Sequence, residues 1–246
     1  MIVVVPVDPP HEALVPPDLL EHPSVSAADA TALYRAMVAD VARAVDSSGG
    51  DLLINYSDEK TLPDDVAATI DDPEAAVRGI VADALEGTDE VRFERQVGSS
   101  YSARMGNTVT HLLEREEAQS VGILEPTAPL VGRTQIDGVA MALRRNEVVL
   151  GPSHGGAVYL AAFSDAVDFT DAFDEPAVST LARKANEAGL GIGFAPRVPT
   201  VTDEHGLAGT QAEIEARRIA GRAIPEATAA VIEERGLGDQ SAPSTQ

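Results

Sequence analysis

The chain has 246 residues, 44% of them hydrophobic, and sets 18 Lys and Arg against 40 Asp and Glu, a net charge of −22. That length and apolar content support one α/β domain whose core buries roughly 70% of the unfolded surface, which excludes general disorder. The lack of cysteine removes disulfides, thiolate metal sites and a thiol nucleophile, and the acidity repels phosphate backbones, which argues against nucleic acid as a partner.

Taken in chain order, the apolar run at 1–7, ended by Asp8-Pro9-Pro10, predicts a buried first strand. A proline-rich acidic loop follows over 11–24. Ser26 with Asp29 three residues on forms a capping-box pattern, and Leu33, Met37, Val38, Val41 and Val45 continue at helical spacing until Gly49-Gly50. Strands are predicted at 51–56, 91–94, 120–124, 148–150, 157–163 and 191–194. Helices are predicted at 73–85, 101–117, 131–143, 177–188 and, as one long charged element, 212–235. Residues 236–246 read as a disordered tail. Strands alternating with helices imply a single three-layer α/β/α domain over 1–210 with a mostly parallel sheet, followed by a C-terminal helix that either packs on it or dimerises.

No stretch reaches the roughly 18 apolar residues of a membrane helix, and the opening segment is too short for a signal peptide, so a cytoplasmic protein with no membrane partner is expected. Lys60 and Lys184 are the only lysines, and acids are spread along the whole chain. This pattern predicts a halophilic protein, because screening over about 3 Å in molar salt removes the self-repulsion. A surface for a basic partner is the competing reading.

Ligands in an open parallel sheet bind beyond the carboxyl ends of the strands. Three segments qualify: the loop after the first strand, the loop from Glu125 to Leu130, and Gly151-Pro152-Ser153-His154-Gly155-Gly156. In the last, Gly151, Gly155 and Gly156 allow close backbone approach to a ligand, and His154 offers a general base or metal ligand. The same residues also make a tight turn between two strands. Glu125 follows a buried strand, a position suited to a metal-binding carboxylate. Asp203-Glu204-His205 could chelate a cation or form a solvated acidic turn. Neither a GxGxxG fingerprint, a Walker A loop nor a GxSxG elbow is present.

Arg95-Gln96-Val97-Gly98, then Ala103-Arg104-Met105-Gly106 entering a helix, resembles the Q-x-G…G-x-R-M segment of the radical-SAM/selenodomain-associated transferases. The run VVLGPSHGGAVYLAAF is similar to their V-L-G-P-x-x-D-G-G-Y-Y-L, and residues 201–207 loosely match the closing D-x-D-T-x-x-D-L. The resemblance spans roughly residues 1–207. It implies a GT-A-like, nucleotide-diphospho-sugar transferase fold in a divergent, haloarchaeal-type member. It also implies a nucleotide or nucleotide-sugar partner, with Mg²⁺ or Mn²⁺ as cofactor. Carried over by residue, Glu125 and Asp203 would hold the metal, Arg104 would meet phosphate beside Gly151, Gly155 and Gly156, and His154 would stand near the reacting group. The chain departs from the pattern in three places. The loop after its first strand has no Lys or Arg before Arg35, Glu125 stands where an aspartate is usual, and the aspartate of D-G-G-Y is replaced by Gly155, or by His154 with a one-residue shift. Those losses leave open a catalytically degenerate paralogue that binds a ligand or partner.

Overall fold

The computed structural model describes residues 1–237. Its seven strands are β1 (Ile2–Val7), β2 (Asp51–Tyr56), β3 (Arg92–Arg95), β4 (Val121–Leu124), β5 (Val148–Pro152), β6 (Val158–Phe163) and β7 (Ile192–Phe194). They form one sheet in the order β3-β2-β1-β4-β6-β5-β7. Only β6 runs against its neighbours. Chain order reverses between β1 and β4, which makes that junction the topological switch point.

The helices are α1 (Ala27–Asp46), α2 (Asp64–Ala67), α3 (Pro73–Ala84), α4 (Tyr101–Glu114), α5 (Arg133–Ala142), α6 (Ala177–Glu187), α7 (Glu204–Ile219) and α8 (Glu226–Arg235). Alternation along β1 explains the layers: Val3, Val5 and Val7 face a core shared with α1, α3, α5, α7 and α8, whereas Val4 faces α4 and α6. With both faces covered, β1 and β6 are apolar throughout instead of alternating with polar residues. The expected three-layer α/β/α domain is therefore what the chain builds.

Two parts of the sequence reading change. The loop over 11–24 contains two 3₁₀ turns, Glu12–Leu14 and Pro17–Glu21, the second burying Leu19 against the core. The single helix predicted over 212–235 is instead two. Asp203 starts α7 early by accepting the Gly206 N–H, and the chain then breaks at Gly221, whose φ is +62°. Pro225 precedes α8 and gives it no side-chain cap. That cap comes from α1, where buried Asp40 accepts the N–H groups of Ala227 and Thr228 at 3.1 and 2.7 Å. Of the tail expected at 236–246, Gly236 and Leu237 close α8, with Leu237 buried; residues 238–246 lie outside the described residues.

Candidate functional site

Asp8, at the end of β1, donates its N–H to the Tyr34 hydroxyl at 2.9 Å, and its carboxylate accepts from Ser57. Glu125, at the end of β4, is fixed by its N–H to the Tyr159 carbonyl, and its side chain accepts from the Tyr101 hydroxyl. Tyr101 is the first residue of α4, whose N-cap Ser100 accepts the Ala103 N–H. The two strand ends thus bring two carboxylates to the switch point. Burial pushes the Glu125 carboxyl up to about 7; the nearby Asp8 charge adds to this and the Tyr101 hydrogen bond opposes it. Burial first, and then the Glu125 charge, holds the Tyr101 phenol well above its usual value.

The turn after β5 supplies the other side. His154 Nε2 lies 3.0 Å from Asp203 Oδ2, while Asp203 Oδ1 accepts the Gly206 N–H at 2.7 Å. One carboxylate therefore caps α7 and orients the imidazole. Ser153 completes a Ser–His–Asp series in sequence only. It is fully buried, its Oγ contacts Thr200 Oγ1 and accepts the Thr200 N–H, and His154 Nδ1 stands 3.5 Å away, so it is a strut and not a nucleophile.

Between these groups runs a cleft with two adjoining chambers. The outer, about 370 Å³, is lined by Asp18, Tyr101, Glu125, His154, Glu175 and Asp203, with Tyr101 edge-on to Phe173. The inner, about 230 Å³, holds Asp8, Tyr34, Gln96 and Arg104. Tyr101, Glu125 and Thr127 line both. Two buried polar atoms at the inner chamber lack partners: Gln96 Oε1, an acceptor, and Arg104 Nε, a donor. Gln96 is 3% exposed and its Nε2 is already held by the Asn55 carbonyl, so its free oxygen is fixed in place.

Most of the residues singled out from sequence meet here. Glu125, His154, Asp203 and Gly155 line the outer chamber and Arg104 the inner. Gly151 and Gly156 are placed differently. Gly151 is buried in β5, where a Cβ would come within 2.6 Å of the Tyr159 ring, and Gly156, at φ +89°, packs on Pro176. Both are glycines for packing and turn geometry, apart from the cleft lining. Among the described residues, no three His, Asp or Glu side chains are grouped closely enough to hold a metal ion, so Glu125 and Asp203 do not form a preformed metal cage. Tyr34, Gln96 and Tyr101 line the cleft without being marked as site residues in the sequence, and Asp8 is marked only through the loop that it begins. The strand-end rule that selected Glu125 also points to Asp8; nothing local marks Tyr101.

No protein-family model matches the chain, and no curated protein matches it in sequence. Solved structures do match in shape. A candidate nucleotide-diphospho-sugar transferase from Desulfovibrio desulfuricans G20 superposes with a TM-score of 0.73 at 19% identity, covering 96% of this chain and 94% of that one. A CMP:2-keto-3-deoxy-manno-octonic acid synthetase complexed with CTP gives 0.50 at 12% identity, over 88% and 98%. A cytidylyltransferase from Leptospira borgpetersenii serovar Hardjo-bovis gives 0.50 at 8%, over 96% and 93%. The sheet order, the layers and these neighbours together establish that the chain has a nucleotide-diphospho-sugar transferase-like fold.

Proposed function

We propose that this protein is a nucleotidyl- or glycosyltransferase-like enzyme that takes a nucleotide or nucleotide-sugar, with a divalent cation, into the cleft at the β1–β4 switch point. The observation that carries this reading is the inner chamber, where Gln96 Oε1 and Arg104 Nε are buried without partners. An unmet acceptor beside an unmet donor costs free energy unless a ligand supplies the complementary pair. A nucleobase edge presents such a pair, and the CTP-bound neighbour of the same fold is a nucleotide-binding protein.

The outer chamber sets the conditions for the rest of the ligand. It has four carboxylates, Asp18, Glu125, Glu175 and Asp203, and no Lys or Arg among the described residues that line it. Phosphates enter such a space only when their charge is offset. The oxygen donors suit Mg²⁺ or Mn²⁺, which are held by one or two carboxylates with substrate phosphate and water completing the shell. Glu125, which lines both chambers, and Asp203 would hold the cation, and the cation would supply charge neutralisation of the phosphates. Asp203 orients His154 through Nε2 at the wall of the outer chamber, where the imidazole would stand near the reacting group. Arg104, buried at its Nε beside Tyr101, is the cation nearest the inner chamber and the one that would meet a phosphate or base oxygen.

The second reading, a non-catalytic binding paralogue, is favoured by one specific observation: Glu125 and Asp203 already have partners in Tyr101 and His154. Thermal-shift titration in multimolar KCl with GTP, CTP, UTP and UDP- or GDP-sugars, each with and without Mn²⁺, separates the two. A ligand that binds only the native state raises the midpoint by mass action. The transferase reading expects a metal-dependent rise with one nucleotide that is lost in Glu125→Ala. A rise that needs no metal and survives Glu125→Ala supports the binding paralogue, and no rise with any nucleotide sinks the nucleotide reading.

A further inference from the structure

A second cavity lies away from the cleft, among the helices on the α1 face. At about 960 Å³ it is larger than either chamber, and it is bounded by α1, the segment Pro129–Gln135 and the turn between α7 and α8. None of its lining residues lines the cleft. Its composition runs against that of the whole molecule. In a chain of net charge −22 with 18 basic residues, four arginines, Arg43, Arg133, Arg217 and Arg222, surround this one groove.

Apart from Glu226, which lines the groove with no side-chain partner among the described residues, the carboxylates around it are committed to backbone N–H groups or to single guanidinium edges. Asp40 takes the Ala227 and Thr228 N–H groups as well as Arg43, Asp137 takes the Gly49 N–H as well as Arg133, and Glu213 is held by Arg217. Arg133 uses only its Nε in its pair, so both Nη groups remain available. Among the described residues, no hydrogen bond or ion pair engages the Arg222 guanidinium. The α5 N-cap, Gly132, has no side chain to cover the first N–H groups of that helix, which open at Arg133 and Thr134 on the groove wall. Planar guanidinium forks beside uncapped N–H groups match the oxygens of a phosphate group.

We propose that this groove is a second ligand site, distinct from the cleft, for a small phosphate-bearing anion. The size of the occupant follows from electrostatics. A long polyanion would have to lie across the surrounding acidic surface, whereas a small molecule fits inside the groove where the arginines are. The volume accommodates an esterified phosphate as readily as the inorganic ion, and the chemistry recognised is the same.

The test is calorimetric titration of the full chain in metal-free buffer with inorganic phosphate, inorganic pyrophosphate and glucose 6-phosphate. Three variants accompany it: Arg133→Gln with Arg222→Ser, then Arg144→Ser with Arg145→Ser as an equal loss of charge at another exposed site, and Arg104→Ala in the cleft. All four groove and control arginines are exposed, and circular dichroism of each variant is the check on its fold. The proposal expects wild-type binding, a loss of about tenfold or more in the groove variant, and little change in the other two. Tighter binding of glucose 6-phosphate than of either inorganic ion identifies an esterified ligand; the reverse order identifies the free ion. Absence of binding, equal loss in the Arg144/Arg145 control, or loss only in Arg104→Ala overturns it. The last outcome would put the anion in the cleft at Arg104 and so support the nucleotide reading while sinking this one; the first two leave the nucleotide reading of the cleft untouched.

Discussion

Replacing Glu125 by glutamine should stabilise the protein at alkaline pH and leave it nearly unchanged in acid. The carboxyl titrates at about 7 in the folded chain against an ordinary value of 4.5, chiefly because burial disfavours its charge. The native state therefore binds this proton more tightly than the unfolded state. Below pH 4.5 both states are protonated and the group exacts no penalty. As pH rises from 4.5 through 7 the unfolded chain ionises first and stability falls, and above 7 the loss is complete. At about 1.4 kcal/mol for each tenfold change in proton affinity, that loss amounts to about 3 kcal/mol. Glutamine keeps the size of the side chain and an oxygen to accept from Tyr101, but cannot ionise. Urea unfolding of both proteins at constant KCl, at pH 5 and pH 8.5, should show the variant gaining about 2.5 kcal/mol on the wild type between the two, since part of the loss is already present at pH 5. Subtracting one protein from the other cancels every other titrating group that the substitution leaves alone. A gap that stays constant with pH, or that closes as pH rises, would refute the assignment of a buried, charge-averse carboxyl to this position.

Tyr101→Phe removes the hydroxyl that favours the ionised form of Glu125, so the loss of stability on going from pH 5 to pH 8.5 should be larger than in the wild type, as the same urea series reads. Gly206→Ala places a methyl group 1.9 Å from the Thr200 carbonyl oxygen and 3.1 Å from His154, and should destabilise by about 2 kcal/mol or more. NMR of the His154 imidazole in that variant should show its hydrogen bond to Asp203 disturbed. Asp40→Ala leaves the first N–H groups of α8 without their acceptors; a loss of about 1–2 kcal/mol is expected. Faster hydrogen exchange in α8, with β1 and β4 still protected, would locate that loss.

The sheet was legible because its strands are short apolar runs bounded by Gly, Pro and Asp, as at Val7-Asp8-Pro9, and because β1 and β6 are covered on both faces. The helices with sharp punctuation, such as α1 between Ser26 and Gly49, were equally readable. The break between α7 and α8 was not. The run 212–235 keeps a charged helical composition across Gly221 and Pro225, and the residue that caps α8 sits nearly two hundred positions earlier. The same distance effect governs the site. Glu125 and His154 could be selected because each follows a strand, a local property. The pairings that give them character, Glu125 with Tyr101 and His154 with Asp203, span 24 and 49 residues and exist only once the sheet has formed. Gly151 shows the converse: a glycine in a suggestive motif is required by its packing on the Tyr159 ring, a partner eight residues on that the motif does not reveal.

The capping of α8 by Asp40 has a consequence for biosynthesis. Chains fold from the amino terminus as they emerge from the ribosome. The α1 helix and the strands it covers are made early, and the donors that Asp40 requires are among the last described residues to be translated. Until they arrive, a carboxylate with only 5% side-chain exposure in the folded protein lacks two of its partners, so the α1 face stays incomplete until that segment is made. Its closure waits for the segment from Glu226 onward, and a message truncated before Glu226 would yield a chain with every strand of the sheet, an intact cleft sequence and an unfinished outer layer.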